Sequence, residues 1–587
     1  MIADVVFDIP LARSFSYAVP EGLSVGVGQR VSAPLQGRAR VGMVVALREG
    51  EPAGLRAVER AVEAAPILSQ AALDVGRWAA EESLSSLGST LLSLVPPLPP
   101  GRASEPIAPP PSLHAGPPVL SELRPELWTG VQRHAELVSA LRETGAALVI
   151  APDRDGAARW AERLEAARLD SGESPSARRA AWLAAARGRA RIVVGTRSAL
   201  LVPLPPPATL VLLDEHDPAH KPPGAPRIHS RELLVRRAAI EGSRLLLLSA
   251  TPSAESWWRA DDHQFLRSAP DGDPWPEIVT GDTRGILRNH PLTLPLTRAI
   301  EDTARAGGKT ALIVTRRAAT LLCVECGHVF RCPDCGVALP YSRKEGLLRC
   351  PLCARAEPLP ERCPGCGGHR LGPLGWDAER IEASVRRRFP KLTVSRTDPR
   401  SQVLIAPPGL LRALPPASLG AVGIVALDSV LGATDFRGGE RAFALLWAAA
   451  EATGPRGRVI AQTLHPQHYA IEAAQAQSRP AFYRQEIKLR AELGYPPFRR
   501  LCAVSVRGKS DGDARALIAE CAHAVEGVPG LIVYPPAPRA PGAKLARWQF
   551  VIKGPAELPR LLAGPLEPFL ERRRRRAGVV EVEMDPI

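Results

Sequence analysis

LVLLDEHD, residues 210–217, is the stretch on which the fold of this chain turns. Four apolar residues end abruptly in Asp214, Glu215, His216 and Asp217. A short apolar run closed by polar residues reads as a buried strand. Runs of the same kind lie at 146–150, 191–194 and 245–248, with an alanine- and arginine-rich helical stretch at 154–168. Short buried strands separated by helices imply a parallel sheet. Ligands gather at the carboxyl ends of such strands. Three polar stretches fall there: VGTRSAL (194–200), LDEHD (213–217) and SATPS (249–253). An Asp-Glu pair in that position commonly handles Mg²⁺ and a hydrolytic water.

The same texture resumes after Pro291. Helices are expected at 296–306, 378–389 and 441–452. Strands are expected at 311–315, 403–405, 421–427 and 459–462. The second lobe is interrupted by four Cys-x-x-Cys pairs: Cys323/Cys326, Cys332/Cys335, Cys350/Cys353 and Cys363/Cys366. Each such turn aims two thiolates at one point, and two turns complete a tetrahedral four-thiolate site with Zn–S of about 2.3 Å. Eight thiols point to two Zn²⁺ ions. The rivals are a redox Cys-x-x-Cys, which does not need four copies, and a disulfide framework, which needs an oxidising compartment.

The flanks differ in texture. Residues 1–50 alternate short apolar runs with Gly and Pro, as a small β-rich domain does. Residues 70–95 read as helical, and the prolines of 96–118 as a semi-extended linker. From about 495 two strand candidates, 502–506 and 548–553, with helices between and after them, describe an α+β domain. The fold class is therefore α/β: two lobes, a two-zinc insertion in the second, a β-rich N-terminal domain and an α+β C-terminal domain. The expected boundaries are 1–105, a linker at 106–120, 121–290, 291–490 containing the zinc module at 321–370, and 491–587.

The chain has 587 residues, 45% of them hydrophobic, enough for several cores. The net charge of +14 and the pI of about 9.7 favour an anionic partner such as nucleic acid, although arginine-rich, G+C-rich coding gives the same bias. No apolar run approaches the ~20 residues of a membrane span. Residues 1–10 carry no basic leader segment. The expectation is a soluble, cytoplasmic, nucleoid-associated protein.

The order GTRSAL, DEHD, SATPS resembles that of superfamily 2 helicase motifs, which makes the two lobes RecA-like. With the cysteine module, the chain resembles PriA-type replication restart proteins (primosomal protein N′). RSFSYAVPEGL (13–23), PRIHSREL (226–233), DFRGGERAFALL (435–446), AQTLHPQHYAI (461–471) and FYRQEIKLRAELGYPPFRRL (482–501) carry that resemblance. It implies one zinc on Cys323, Cys326, Cys363 and Cys366, and another on Cys332, Cys335, Cys350 and Cys353. It implies forked DNA with nascent 3′ ends as ligand. Its implied protein partners are other primosome proteins, the helicase-loading machinery and single-strand-binding protein. Phe15 and Ser16 match the family's Phe-Asp pair that meets the 3′ end, Gly37 and Arg38 its neighbouring loop, and Arg231 falls in the segment after motif II. Phe15 as a stacking platform competes with Phe15 as a core residue. The run Arg572–Arg576 competes between phosphate contact and solubility.

The departures from the family are specific. G-x-x-x-x-G-K-[ST] is absent before the helix near 131–142, where the chain reads LWTGVQRH (127–134). Gly308-Lys309-Thr310 precedes a strand and reads as a turn. Where arginine fingers belong, the chain reads AAAEATGP (448–455). One such finger is worth on the order of 10³–10⁵ in rate. The winged-helix interval is also missing. Asp214, Glu215 and Asp217 therefore form a degenerate motif II, and no catalytic residue is assigned. The expectation is a fork-binding assembly factor without helicase activity and with no support for ATP binding. An active ATP-dependent 3′–5′ helicase and a zinc or thiol enzyme are the alternatives.

Overall fold

A computed structural model describes the chain apart from residues 98–123, 206, 268–274, 284–290, 316–320, 324, 327, 334–338, 340, 343–345, 351–354, 374–377, 433–435, 540–545, 572–577 and 587. Most of the expected linker, Cys335, Cys353 and the arginine run 572–576 lie outside the described residues.

The strand at Ala208–Leu212 is central to a seven-stranded sheet, in the order Leu266–Arg267, Glu126–Trp128, Arg244–Leu248, Ala208–Leu212, Ala146–Ile150, Ile192–Gly195, Ala167–Leu169. Every pairing in it is parallel. The inner strands are fully buried, which accounts for their unbroken apolar text. A second parallel sheet has six strands: Glu277–Asp282, Arg458–Thr463, Ala421–Ile424, Thr310–Ile313, Val403–Ala406 and Val394–Ser395. Its edge strand Glu277–Asp282 precedes residue 290, where the sequence placed the break between lobes. The text EIVTGD is half polar, as an edge strand is, and so gave little signal.

Ahead of the first sheet stands a five-stranded antiparallel sheet, in the order Phe15–Ala18, Ile2–Phe7, Arg38–Arg48, Arg30–Leu35, Arg60–Ala61. Two helices follow, Gln70–Glu82 and Leu87–Leu94, capped by Ser69 and Ser86. Leu73, Leu91 and Leu94 from these helices share one core with Leu200, Leu233 and Leu247 of the first lobe. The C-terminal part is an antiparallel sheet centred on Arg500–Gly508, flanked by Ala546–Gly554 and Val579–Met584 and covered by helices Asp511–Val525 and Leu558–Leu570. Between the second sheet's strands Thr310–Ile313 and Val403–Ala406 the cysteine module forms two small antiparallel sheets. No helix among the described residues is long and apolar enough to cross a membrane.

The two parallel sheets are joined by more than a covalent connection. Helix Ala254–Asp261, which follows SATPS, places Ala254 and Trp257 in the core of the second lobe. Trp257 stacks on Tyr483 at 4.2 Å, and Tyr483 lies on helix Arg479–Leu493. Ring burial of this kind contributes about 0.5–1.5 kcal/mol beyond its area. Helix Arg479–Leu493 is thus a tie bar between the lobes. A Trp257→Ala substitution should therefore destabilise both lobes together, by about 3–5 kcal/mol. Chemical denaturation followed by the fluorescence of the remaining tryptophans checks this, and a single shifted transition is the expected result.

Candidate functional site

Two of the three polar stretches at the strand ends, DEHD and SATPS, meet, as ends of neighbouring parallel strands do, whereas Arg197 of VGTRSAL donates to Ser93 Oγ and Ala225 O, each at 3.0 Å. Glu215 is wholly buried, and its carboxylate is saturated. Oε1 accepts hydrogen bonds from Ser253 Oγ and Ser256 Oγ, each at 2.6 Å, and from Arg231; Oε2 accepts from the Ser253 amide at 3.0 Å. Burial alone pushes the Glu215 carboxyl up, but Arg231 and the serine donors more than reverse this and hold it below the usual carboxylate range. Arg231 is itself buried and also pairs with Glu232 at 2.7 Å. Its guanidinium is a counter-ion inside the lobe. It does not lie on an open surface.

Asp214 turns the chain at the end of its strand with φ of +49°, in the left-handed region. Burial raises its carboxyl, yet His216, His134, Arg133 and Arg412 together bring it below its ordinary value. His216 Nδ1 lies 2.7 Å from Ser249 Oγ, which joins DEHD to SATPS. Asp217 caps the turn at Pro218–His220 by accepting from the Ala219 amide at 2.8 Å, and it pairs across the cleft with Arg412 of the second lobe. Glu215 and Asp217 are therefore held by hydrogen bonds and ion pairs within the protein, and Asp214 lies in the field of His216, His134, Arg133 and Arg412.

The loop that leads into helix Arg133–Arg142 is closed in the same way. Arg133 makes a bidentate pair with Glu451, at 2.9 and 3.0 Å, and donates to Gly130 O at 3.0 Å. Arg479 donates from Nη2 to Thr129 O at 2.8 Å and from Nε to Ala250 O. Glu255, Glu440 and Glu486 form a buried network with Arg437 and Arg490, with Arg437 Nη2 to Glu255 Oε1 at 2.6 Å and Arg490 Nε to Glu486 Oε1 at 2.8 Å. In the cleft between the sheets, side chains of one lobe neutralise those of the other. Lys309 lies in the turn before strand Thr310–Ile313 and donates to Pro399 O at 3.1 Å, away from this cleft. Arg458 pairs with Glu277 at 3.1 Å beside the next strand.

The outer cysteines converge. The Sγ atoms of Cys323, Cys326, Cys363 and Cys366 all lie within 4.8 Å of one another, with Cys323–Cys366 and Cys326–Cys363 at 3.6 Å. A tetrahedron with Zn–S of about 2.3 Å has S···S edges of ~3.8 Å, so four thiolates fit one such ion here. Cys332 and Cys350 are buried with Phe330, Leu339 and Leu348 in a separate small core. Cys335 and Cys353, their expected co-ligands, lie outside the described residues.

At the N-terminal sheet, Phe15 is half-buried, edge-on to Phe7 at 5.9 Å, with the Arg13 guanidinium 5.4 Å above its ring. Ser16 follows it in the strand and so faces the other side of the sheet. Ser16 Oγ donates to Asp4 Oδ1 at 2.7 Å and accepts from Arg48 Nη2 at 2.9 Å. Sequence reasoning missed Asp4 and Arg48, because register alone brings them to Ser16. Gln36 and Gly37, with φ of +52° and +76°, form the tight hairpin turn that presents Arg38 to solvent.

Comparison with known proteins bears on both ends of the chain. Residues 4–96 match the model of the 3′ DNA-binding domain of PriA, and residues 491–587 match that of the primosomal protein N C-terminal domain. The chain is 29% identical to the replication restart protein PriA of Treponema pallidum over 100% of its own length and 99% of that protein. It is 28% identical to the Bacillus subtilis replication restart protein PriA over 71% of its own length, but spans only 56% of that relative. Among solved structures, RecG bound to a three-way DNA junction superposes over 62% of this chain and 47% of that one, with 10% identity and a TM-score of 0.33.

Two outcomes follow from the cleft. Glu451→Ala leaves Arg133 buried and uncompensated and should cost about 3–5 kcal/mol, whereas replacing both partners, Arg133→Met with Glu451→Leu, should cost much less; urea denaturation of the three proteins checks the difference. Burial also lowers His134 and His220 to about 4. Unfolding raises them to about 6.5, so the unfolded chain binds more protons between pH 4 and 6.5, and stability must rise with pH across that window. His220→Asn should flatten that rise in thermal melts taken from pH 4.5 to 7.

Proposed function

The chain is PriA-like from end to end, and from that premise we propose that it binds branched or stalled replication forks and serves as an assembly platform for replisome reloading, without unwinding DNA. The observation that carries the non-motor half of this reading is the Arg133–Glu451 pair. It occupies the junction of the first lobe's Gly130 loop with the second lobe's AAAEATGP segment. A motor needs phosphate, metal and water there. The fork-binding half is supported by the family match at 4–96, by Phe15 and the hairpin Gln36–Arg38 on the same sheet, and by the net charge of +14.

On this reading the cysteine module holds two structural Zn²⁺ ions, one on Cys323, Cys326, Cys363 and Cys366, and one on Cys332, Cys335, Cys350 and Cys353. Closed four-thiolate sites offer no open coordination position and so no zinc catalysis. Each stabilises its fold by roughly 10–16 kcal/mol, which makes the module a rigid surface for primosome proteins, the helicase-loading machinery or single-strand-binding protein. The domain scheme of the sequence belongs to the same proposal: a 3′-end-binding part, two motor-derived lobes and a C-terminal DNA-binding part.

Three measurements test it. Metal analysis of purified protein should return two zinc ions per chain, and Cys363→Ser should return one; a wild-type content of one or none overturns the two-site assignment. Phe15→Ala should weaken binding to forks with a free 3′ end by about 5- to 100-fold and leave plain duplex binding unchanged, as followed by fluorescence anisotropy. DNA-stimulated ATP hydrolysis that Asp214→Ala abolishes would restore the motor reading.

A further inference from the structure

Large exposed apolar side chains are not scattered evenly over this protein. Among the described residues they are Met1, Leu266, Leu294, Leu493, Phe498, Ile532 and Tyr534. The last four gather where helix Arg479–Leu493 hands over to the C-terminal sheet. Leu493 is 59% exposed, Ile532 46%, Tyr534 38% and Phe498 37%. Lys553 ties them together. Its Nζ donates to Leu493 O at 2.9 Å, lies 3.8 Å from the Tyr495 ring and 5.6 Å from the Tyr534 ring, and its backbone pairs with Ile532. Phe436 stacks on Tyr495 at 4.5 Å. Phe498 rests against Trp258 of the first lobe at 5.0 Å. In a chain with only 5% aromatic residues, five aromatic rings converge on one turn.

The charge around this turn selects the partner. Among the described residues from 484 to 553, the exposed charges are seven Lys and Arg against five Asp and Glu, a small cationic excess that suits a polyanion. Arg484 and Arg499 are exposed and make no ion pair among the described residues. Phe498 and Arg499 also stand on the wall of a cavity of about 630 Å³ where both lobes, the N-terminal helix and the C-terminal sheet meet. That volume lies in the usual range of ligand clefts, ~300–1,000 Å³. Its acidic lining residues, Glu82, Asp217, Glu232, Glu255, Glu440 and Asp585, are each paired with an arginine. None of them is left to repel an anion.

Exposed aromatic rings beside an unpaired arginine are what a flexible nucleic-acid strand requires. Bases stack on the rings in any sequence, and phosphates meet the cations. We propose that Phe498 and Tyr534, with Arg499, form a contact surface for single-stranded DNA that runs from the edge of the C-terminal sheet to the mouth of this cavity. It deepens the fork-binding reading by naming where an unpaired strand leaves the branch. It does not involve Phe15 or the cysteine module.

The test uses the full chain and a fluorescein-labelled (dT)20 strand, with a blunt duplex and a fork as parallel probes. Phe498→Ala with Tyr534→Ala should weaken (dT)20 binding about 10- to 100-fold and leave duplex binding unchanged. Phe498→Tyr should bind as wild type, because the ring face is kept. Leu493→Ala with Ile532→Ala should also bind as wild type, because aliphatic groups do not stack. Unchanged (dT)20 binding by the aromatic double variant overturns the proposal and assigns the patch to a protein partner. An equal loss from the aliphatic pair overturns the stacking mechanism. If wild-type protein binds forks while the aromatic variant keeps (dT)20, only this inference fails; if wild-type protein binds no DNA of any form, the fork-binding reading fails with it.

Discussion

The arrangement of the two lobes depends on ion pairs that cross from one parallel sheet to the other. Arg133 to Glu451, Asp217 to Arg412, and Glu255 to Arg437 and Arg490 neutralise the facing walls of the cleft. Burying such groups is tolerable only when each is matched, because a single unmatched charge costs several kcal/mol. The matching therefore works as a constraint on the whole fold. If either sheet moved by a few ångströms, several buried charges would lose their partners at once. The stacked Trp257 and Tyr483 and the shared core add an apolar seam to the same junction. On the non-motor proposal, cleft closure, which in a motor would follow the nucleotide, is a property of the polypeptide itself.

The same economy of partners extends to the C-terminal sheet. Lys221 of the first lobe donates to the carbonyls of Met584 and Asp585, and Arg500 joins Asp585 to Glu82 of the N-terminal helix. The cysteine module stands apart from this arrangement. Its four converging sulfurs need no neighbour beyond a cation, and its small sheets lie between two strands of the second lobe. One part of the chain is organised by long-range charge matching, the other by local spacing.

That difference also decides what could be read from the sequence. The inner strands at 146–150, 208–212, 244–248 and 421–424 were legible because burial on both faces demands unbroken apolar text. The edge strands Ala167–Leu169 and Glu277–Asp282 were not, because one open side admits polar residues, and Glu126–Trp128 was not, because three residues are too few to show a pattern. The cysteine pairs were legible from spacing alone, and the meeting of the outer pairs was implied by the family resemblance. The missing lysine and arginine fingers were visible as absences, but the pair found there was not: Arg133 in LWTGVQRH and Glu451 in AAAEATGP are 318 positions apart, and nothing in either stretch names the other as its partner. The sequence offers Arg231 as a candidate DNA contact, and only three dimensions reveal the buried Glu215 that holds it. Ser16 was read with Phe15, yet strand alternation turns it to Asp4 and Arg48.

Helix Arg479–Leu493 gives the tie between the lobes a further meaning. It reaches Pro252 and Ala250 at one end through Tyr483 and Arg479, and delivers the turn 493–499 to the C-terminal sheet at the other. The N-terminal part, which shares a core with the first lobe, and the C-terminal surface are therefore joined through packed structure, like the jaws of a caliper. A binder built this way loses little conformational entropy when it engages a matching shape and has little means of adapting to a wrong one. On the fork-binding proposal, discrimination between branched and linear DNA would then be geometric, fixed when the chain folds and requiring no conformational cycle.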